Sequence, residues 1–107
     1  MKKLTLALLP LALALLGCQS YQDGLAAICN APSTCGKPCQ EVSPDLRVEM
    51  VSRHINDSVG NGEAKALYLS LAGMAPEQRA VLLKQEAAKN GLSGCPLADM
   101  FASPRQQ

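Results

Sequence analysis

The chain has 107 residues, which allows one small domain and excludes an assembly of several. Its only aromatic residues are Tyr21, Tyr68 and Phe101, so a core has to be built mainly from aliphatic side chains and will be thin. The net charge of +1, from 10 basic and 9 acidic residues, excludes the strongly basic surface that nucleic-acid binding requires.

The first 18 residues have the pattern of an export signal. Lys2 and Lys3 precede an uncharged apolar run over residues 4–16, which is too short to stay in a bilayer as a spanning helix. The run closes with Leu15-Leu16-Gly17-Cys18, which resembles the lipobox of bacterial lipoproteins, with Leu16 where that family usually has a small residue.

The resemblance implies that residues 1–17 are removed and that Cys18 becomes an acylated N-terminus, held in a membrane by two or three acyl chains. Because Gln19 is not aspartate, the resemblance favours the periplasmic face of an outer membrane. Loss of Lys2 and Lys3 with the signal leaves 8 basic residues against 9 acidic ones. Cleavage after Ala14 is the competing interpretation, and it would leave Cys18 as a free thiol in an oxidising compartment.

Apolar spacing and helix-terminus residues predict an all-α fold. We expect a brief helix capped by Asp23 and ended by Pro32, then a loop over residues 33–39. Three main helices follow, with the first capped by Ser43 and running to residue 56. The second covers 63–72 behind Asn61, the third runs from Pro76 to a left-handed end at Gly91, and a last short helix lies within 95–101.

The predicted fold is therefore a small bundle of three main helices with shorter helices at its two ends, stapled by disulfides. Its expected divisions are a signal at 1–17, a lipidated N-terminus and tether at 18–24, a helical domain at 25–101 and a flexible tail at 102–107.

Four cysteines remain when Cys18 is assigned to lipid, and an even number in a small exported domain indicates disulfides. Three pairings are possible, and the sequence leaves them open. Apolar neighbours favour Cys29 with Cys95, which leaves Cys35 with Cys39. The segment from Asn61 to Ala98 also resembles small uncharacterised exported helical proteins of Gram-negative bacteria, in which an early cysteine accompanies a late Cys-Pro, and this resemblance supports the same pairing.

The Cys35-Gly36-Lys37-Pro38-Cys39 segment allows a second hypothesis. It looks like a longer relative of redox-active Cys-x-x-Cys motifs, and Lys37 could lower a thiol pKa. The same thiolates could bind a soft metal such as copper together with methionines. A plain disulfide is the simpler interpretation, and methionines at helical positions usually fill a core. The methionines concerned are Met50, Met74 and Met100.

No catalytic residue is assigned. His54 has no second histidine at helical spacing, so we expect it exposed or at the edge of the core. Ser33, Ser43 and Ser58 fall where loops and caps favour serine. The expected protein is a non-enzymatic accessory or interaction module. Its expected partners are the membrane, through acyl chains on Cys18, and a protein of the envelope, with no cofactor, metal or nucleic acid.

Overall fold

The structure, a computed structural model, describes residues 19–103. This range contains six α-helices and one 3₁₀ turn, and no strand. The helices are α1 (Tyr21–Cys35), α2 (Lys37–Gln40), α3 (Pro44–Ser58), α4 (Gly62–Ser70), α5 (Pro76–Lys89) and α6 (Pro96–Ala102), with the 3₁₀ turn (Leu71–Gly73) directly after α4. The prediction of an all-α fold stapled by disulfides is confirmed. The signal, the predicted lipidation site Cys18 and residues 104–107 of the predicted tail lie outside the described residues. Ala102, which the sequence places in the tail, is the last residue of α6.

The centre of the bundle is α1, which packs against all five other helices. Leu25, Ile28 and Cys29 lie on its buried side and are fully enclosed. The arrangement explains why this helix is longer than its sequence pattern indicates, because packing on several sides stabilises residues whose own helix propensity is weak.

The beginning of α1 differs from the prediction. Ser20, not Asp23, is the N-cap, and its Oγ accepts a hydrogen bond of 3.0 Å from the Asp23 backbone N–H. Asp23 instead lies in the first turn, where a carboxylate suits the positive end of the helix. Residues 21–24, which we expected in the tether, therefore belong to the first helix.

The end of α1 also differs, since the helix continues through Pro32 to Cys35. A proline inside a helix removes one backbone hydrogen bond, at a cost of about 3 kcal/mol. Burial of Ala31 and the disulfides on both sides of Pro32 outweigh that local cost. The loop expected over 33–39 is thus mostly helical, with Gly36, at φ 76°, as the break between α1 and α2.

The predicted helices in the second half of the chain are present. Ser43 occupies the N-cap position of α3 but makes no capping hydrogen bond, and the helix ends at Ser58, two residues later than expected. Asn61 does cap α4, because its Oδ1 accepts from the Ala64 N–H at 2.9 Å. α4 ends at Ser70, where the 3₁₀ turn replaces its last predicted residues.

The end of α5 has the left-handed geometry that the sequence predicts. Gly91 has φ 77°, its N–H donates to the Ala88 carbonyl, and the Leu92 N–H donates to the Ala87 carbonyl at 2.9 Å. These two bonds satisfy carbonyls that a helix end otherwise leaves without partners. The chain then turns back along the bundle and enters α6 at Cys95.

The core is apolar throughout, and among residues 19–103 no polar or charged side chain is buried. Phe101 is its one buried aromatic residue, at 5% exposure, whereas Tyr21 and Tyr68 lie at the edge. Met50, Met74 and Met100 are partly buried and pack against the core, as the core-filling interpretation expects. Of the helices described, none is both long enough and apolar enough to cross a bilayer.

Candidate functional site

Gln19, the residue next to Cys18, is fixed to the loop between α3 and α4. Its Oε1 accepts hydrogen bonds from the backbone N–H groups of Gly60, at 2.8 Å, and Asn61, at 3.0 Å. Its Nε2 donates to the Ser58 carbonyl at 3.4 Å, and its own carbonyl accepts from the Asn61 Nδ2 at 3.0 Å. The chain directly after the predicted attachment residue is therefore held through both the side chain and the main chain of Gln19.

Gln19 and the loop between α3 and α4 form a junction. Asn61 connects it to α4, because the side chain that donates to the Gln19 carbonyl also caps that helix through Oδ1. Directly beneath, α1 and α4 approach so closely that a Cβ on Gly24 would lie 2.7 Å from the Ala64 Cβ. Only a glycine permits this contact without displacement of one helix. The glycine thus lets α4 and its preceding loop reach Gln19.

Gly24→Ala tests this close approach by the sign of its effect. At an unhindered helical site the change would stabilise the protein by about 1 kcal/mol. Here we expect a net loss of about 1–2 kcal/mol, because overpacking exceeds the helix-propensity gain. Gly62→Ala is the control, because a Cβ at that position meets no atom within 4 Å. Urea denaturation compares the free energies of unfolding of the two variants with that of the wild type. Stabilisation in both variants would contradict the described contact.

Two disulfides use the four cysteines that lie within the described residues. Cys29 in α1 is bonded to Cys95 at the start of α6, with Cα atoms 4.5 Å apart and both residues buried. Cys35 is bonded to Cys39, with Cα atoms 5.8 Å apart. These are the pairs that the apolar neighbours favour. The first connects distant parts of the chain, whereas the second closes the short turn around Gly36.

The second disulfide lacks the surroundings typical of a reactive thiol. Reactive cysteines commonly lie at a helix N-terminus, whose positive end stabilises a thiolate. Cys35 is instead the last residue of α1, at the negative end, and Cys39, although it lies in the four-residue α2, is 1% exposed. Among residues 19–103, no group of three or more His, Cys, Asp or Glu side chains could hold a metal ion.

His54 lies on α3 on the side that faces α1, and it is half-buried. Its Nε2 is 2.8 Å from the Thr34 Oγ1 and 3.4 Å from the Ser58 Oγ. Either hydroxyl can donate to the single lone pair of Nε2 when the proton is on Nδ1, and the Thr34 hydroxyl can instead donate to the Ala31 carbonyl. Ser58 is the last residue of α3, and Ser33 lies within α1, so neither is in the loop expected for it. The contact with Thr34 therefore links α3 to α1, whereas the contact with Ser58 lies within α3.

A groove of about 590 Å³ opens between α3 and α4. Its floor contains Phe101, and the Arg79 guanidinium lies 5.3 Å from the centre of that ring. Arg79 also donates hydrogen bonds to the Met74 and Ala72 carbonyls, so its guanidinium is bound within the protein's own structure. The groove lining is Asp45, Val48, Glu49, Ser52, Arg53, Asn56, Tyr68, Leu69, Leu71, Ala72, Arg79 and Phe101.

Tyr21 and Glu86 form a hydrogen bond of 2.8 Å between α1 and α5. Partial burial, together with this bond, raises the pKa of Tyr21 from its ordinary value of 10 to about 12. The same bond, assisted by Lys89, lowers the pKa of the Glu86 carboxyl. Both shifts favour the protonated phenol beside the ionised carboxylate, which is the pair that stabilises the folded state.

Tyr21→Phe should lower the free energy of unfolding by about 1 kcal/mol, because one partly buried hydrogen bond is lost. In the wild type the folded state holds the phenol proton more tightly than the unfolded chain does. The stabilisation is therefore complete below pH 10 and is lost as the pH rises to 12. Phenolate absorbance should show a step near pH 12 that disappears in Tyr21→Phe and persists in Tyr68→Phe. Its survival in Tyr21→Phe would contradict the assignment.

Comparison with known proteins finds no matching family model, no similar curated protein and no similar solved structure. The likeness of Leu15 to Cys18 to a lipobox, and that of the segment from Asn61 to Ala98 to small exported proteins, therefore stay predictions.

Two residues of the junction escape prediction from the sequence. Gln19 lies in a polar stretch typical of a tether, and its partners are 39–42 residues away. For Gly24 the available signal is a glycine that interrupts an apolar helical pattern, which a helix start explains equally well. The capping role of Asn61 is predictable from the sequence, because a helix cap has a local pattern. Its hydrogen bond to Gln19 has no such pattern.

Proposed function

We propose that the chain is a lipoprotein of the bacterial cell envelope, anchored through acyl chains on Cys18, and that its helical domain is a non-enzymatic accessory or interaction module. The observation that carries the proposal is the Leu15-Leu16-Gly17-Cys18 pattern immediately before the folded domain. Two acyl chains or more suffice for stable attachment. The composition after residue 17 is close to neutral, so attachment does not depend on attraction to anionic lipid.

The disulfides support export. Paired cysteines persist in oxidising compartments such as the periplasm and are rare in the cytosol. Because Cys29, Cys35, Cys39 and Cys95 form two pairs, acylation of Cys18 leaves no odd thiol in the exported chain. The outer membrane's periplasmic face is the proposed location, since Gln19 is not the aspartate that favours retention in the inner membrane.

The alternative function, thiol redox or copper chemistry at Cys35 and Cys39, has less support. The position of Cys35 at a helix C-terminus and the burial of Cys39 both disfavour an accessible thiolate. A disulfide potential in the range of redox enzymes, or Cu(I) binding by the reduced protein, would restore this hypothesis.

Intact-mass analysis of the protein from a bacterial membrane fraction tests the anchor. We expect a chain that begins at Cys18 and carries a diacylglyceryl group with an additional amide-linked acyl chain. Cys18→Ser should abolish the acyl-chain mass and the N-terminus at residue 18, whereas Ser20→Ala, with Cys18 intact, should keep both. An unacylated chain that begins at Leu15 would overturn the proposal. An accessory role further predicts that cross-linking in intact cells joins the acylated protein to another envelope protein.

A further inference from the structure

The contacts of Gln19 bear on how the domain is oriented at the membrane. We define the anchor end of the bundle by Gln19, Gln22, the loop over residues 58–61 and Asn90. Gln19 binds that loop, and the Gln22 Nε2 donates to the Asn90 carbonyl at 2.8 Å, which brings the end of α5 to the same place. The start of α1, the end of α3, the start of α4 and the end of α5 thus meet there.

The opposite end of the bundle, the far end, contains the Cys35–Cys39 disulfide and the 3₁₀ turn after α4. The Arg47 Nε donates to the Cys39 carbonyl at 2.9 Å, so the start of α3 lies beside α2. The start of α5 lies beside the 3₁₀ turn, because Arg79 donates to the carbonyls of Ala72 and Met74. With 15 residues, α1 separates the two ends by about 22 Å.

We propose that the anchor end faces the bilayer and that the far end points away from it, so that the domain has a fixed orientation instead of a free tether. This inference rests on the proposed acylation of Cys18. Adjacent Cα atoms are about 3.8 Å apart, so an acylated Cys18 lies within one residue of the fixed Gln19. A flexible tether needs several free residues, and none lies between the two.

The chemistry of the anchor end suits the neutral headgroups of a zwitterionic phospholipid surface. Its carboxamides, from Gln19, Gln22, Asn61 and Asn90, each donate one hydrogen to the protein's own backbone, and the second hydrogen of each NH₂ group can be donated to a phosphate oxygen. Asp23, Asp57 and Glu63 are the exposed carboxylates nearby, and the Lys89 ammonium is paired with Glu86 at 3.3 Å. This excess of negative charge gives no attraction for anionic lipid.

The proposed orientation leaves the groove between α3 and α4 accessible. Asp45 and Glu49 of its α3 wall belong to the first half of that helix, and Leu69 and Ala72 belong to the end of α4 and the turn after it. These residues lie toward the far end, so a bilayer at the anchor end leaves this part of the groove uncovered, whereas Arg53 and Asn56 of the lining lie nearer to the anchor end.

Single tryptophans can report the orientation, because the chain has none of its own. Gly62 lies at the anchor end and Gly73 toward the far end, and a Cβ at either position meets no atom within 4 Å. Gly62→Trp and Gly73→Trp are therefore matched probes. The acylated full-length proteins are placed in phosphatidylcholine vesicles that contain a nitroxide-headgroup lipid, and fluorescence quenching is compared. Thermal melts confirm that both variants fold.

We expect several-fold stronger quenching of Gly62→Trp than of Gly73→Trp. Insertion of a ten-residue Gly-Ser linker between Cys18 and Gln19 gives a reach of about 18 Å and should make the two signals similar. Equal quenching on protein that sediments with the vesicles would overturn the orientation and leave the anchor intact. A difference that the linker does not reduce would overturn the role of Gln19. Wild-type protein that fails to sediment with the vesicles would overturn both proposals.

Discussion

A variant in which Cys29 and Cys95 are both alanine is expected to lose about 4 kcal/mol of unfolding free energy. The bond joins residues 66 apart in sequence, so it restricts the unfolded chain over most of the domain. Small domains have a free energy of unfolding of about 5–15 kcal/mol. Because this core has one buried aromatic residue, we expect its free energy of unfolding to lie at the low end of that range. Alanine is preferred to serine because both sites are buried, and a hydroxyl would lack a partner there.

The matched variant replaces Cys35 and Cys39 by alanine. Its loop spans a sequence separation of 4, so the same relation gives about 2 kcal/mol. Urea denaturation of the oxidised proteins should therefore rank wild type first, the Cys35/Cys39 variant second and the Cys29/Cys95 variant last. Equal losses in the two variants would contradict a long-range constraint as the main contribution of the first disulfide.

The helices of the second half were predictable because each has a local beginning. Pro44, Pro76 and Pro96 all stand in the first turn of a helix, where the missing N–H costs nothing. Asn61 and Gly91 likewise act through bonds within three to five residues. Because patterns of this length lie within a short stretch of sequence, these helix ends can be predicted without knowledge of the tertiary structure.

The first helix is longer than the sequence predicts, because its length depends on distant contacts and not on local signals. Pro32 disfavours a helix locally, and the packing of α1 against five neighbours that outweighs it is a property of the whole fold. The cap was misplaced because Asp23 and Ser20 are both good candidates, and the choice depends on where the chain meets the α3–α4 loop.

The candidate junction shows the same division between local and distant information. The proposed attachment residue, Cys18, is predicted by a contiguous pattern, and its acylation stays a prediction. The polar composition around Gln19 predicts a tether. In the structure, Gln19 instead makes four hydrogen bonds to residues 39–42 positions further along the chain. Polar stretches that fold against a distant loop and polar stretches that stay free have the same composition, so only the structure distinguishes them.

Phe101→Ala is expected to lower the free energy of unfolding by about 3–4 kcal/mol, the second large effect in this domain. The ring is 5% exposed, packs within the core from α6, and lies under the Arg79 guanidinium. Truncation removes apolar burial, leaves a cavity and ends the cation–π contact, which adds about 0.5–1 kcal/mol at a partly exposed site. Because α6 has seven residues, it has no independent stability to hold it in place.

Two further variants separate these contributions. Phe101→Leu keeps much of the volume but removes the ring, so we expect a loss of about 1 kcal/mol. Leu46→Ala, at a residue that is 50% exposed, should change the stability by less than about 0.5 kcal/mol. Hydrogen exchange of the peptide covering α6 should accelerate in Phe101→Ala more than that of α3, because Phe101 holds α6 to the core. Uniform acceleration over both helices would mean that α6 unfolds only with the whole domain, and the Cys29–Cys95 disulfide would then be sufficient to hold it.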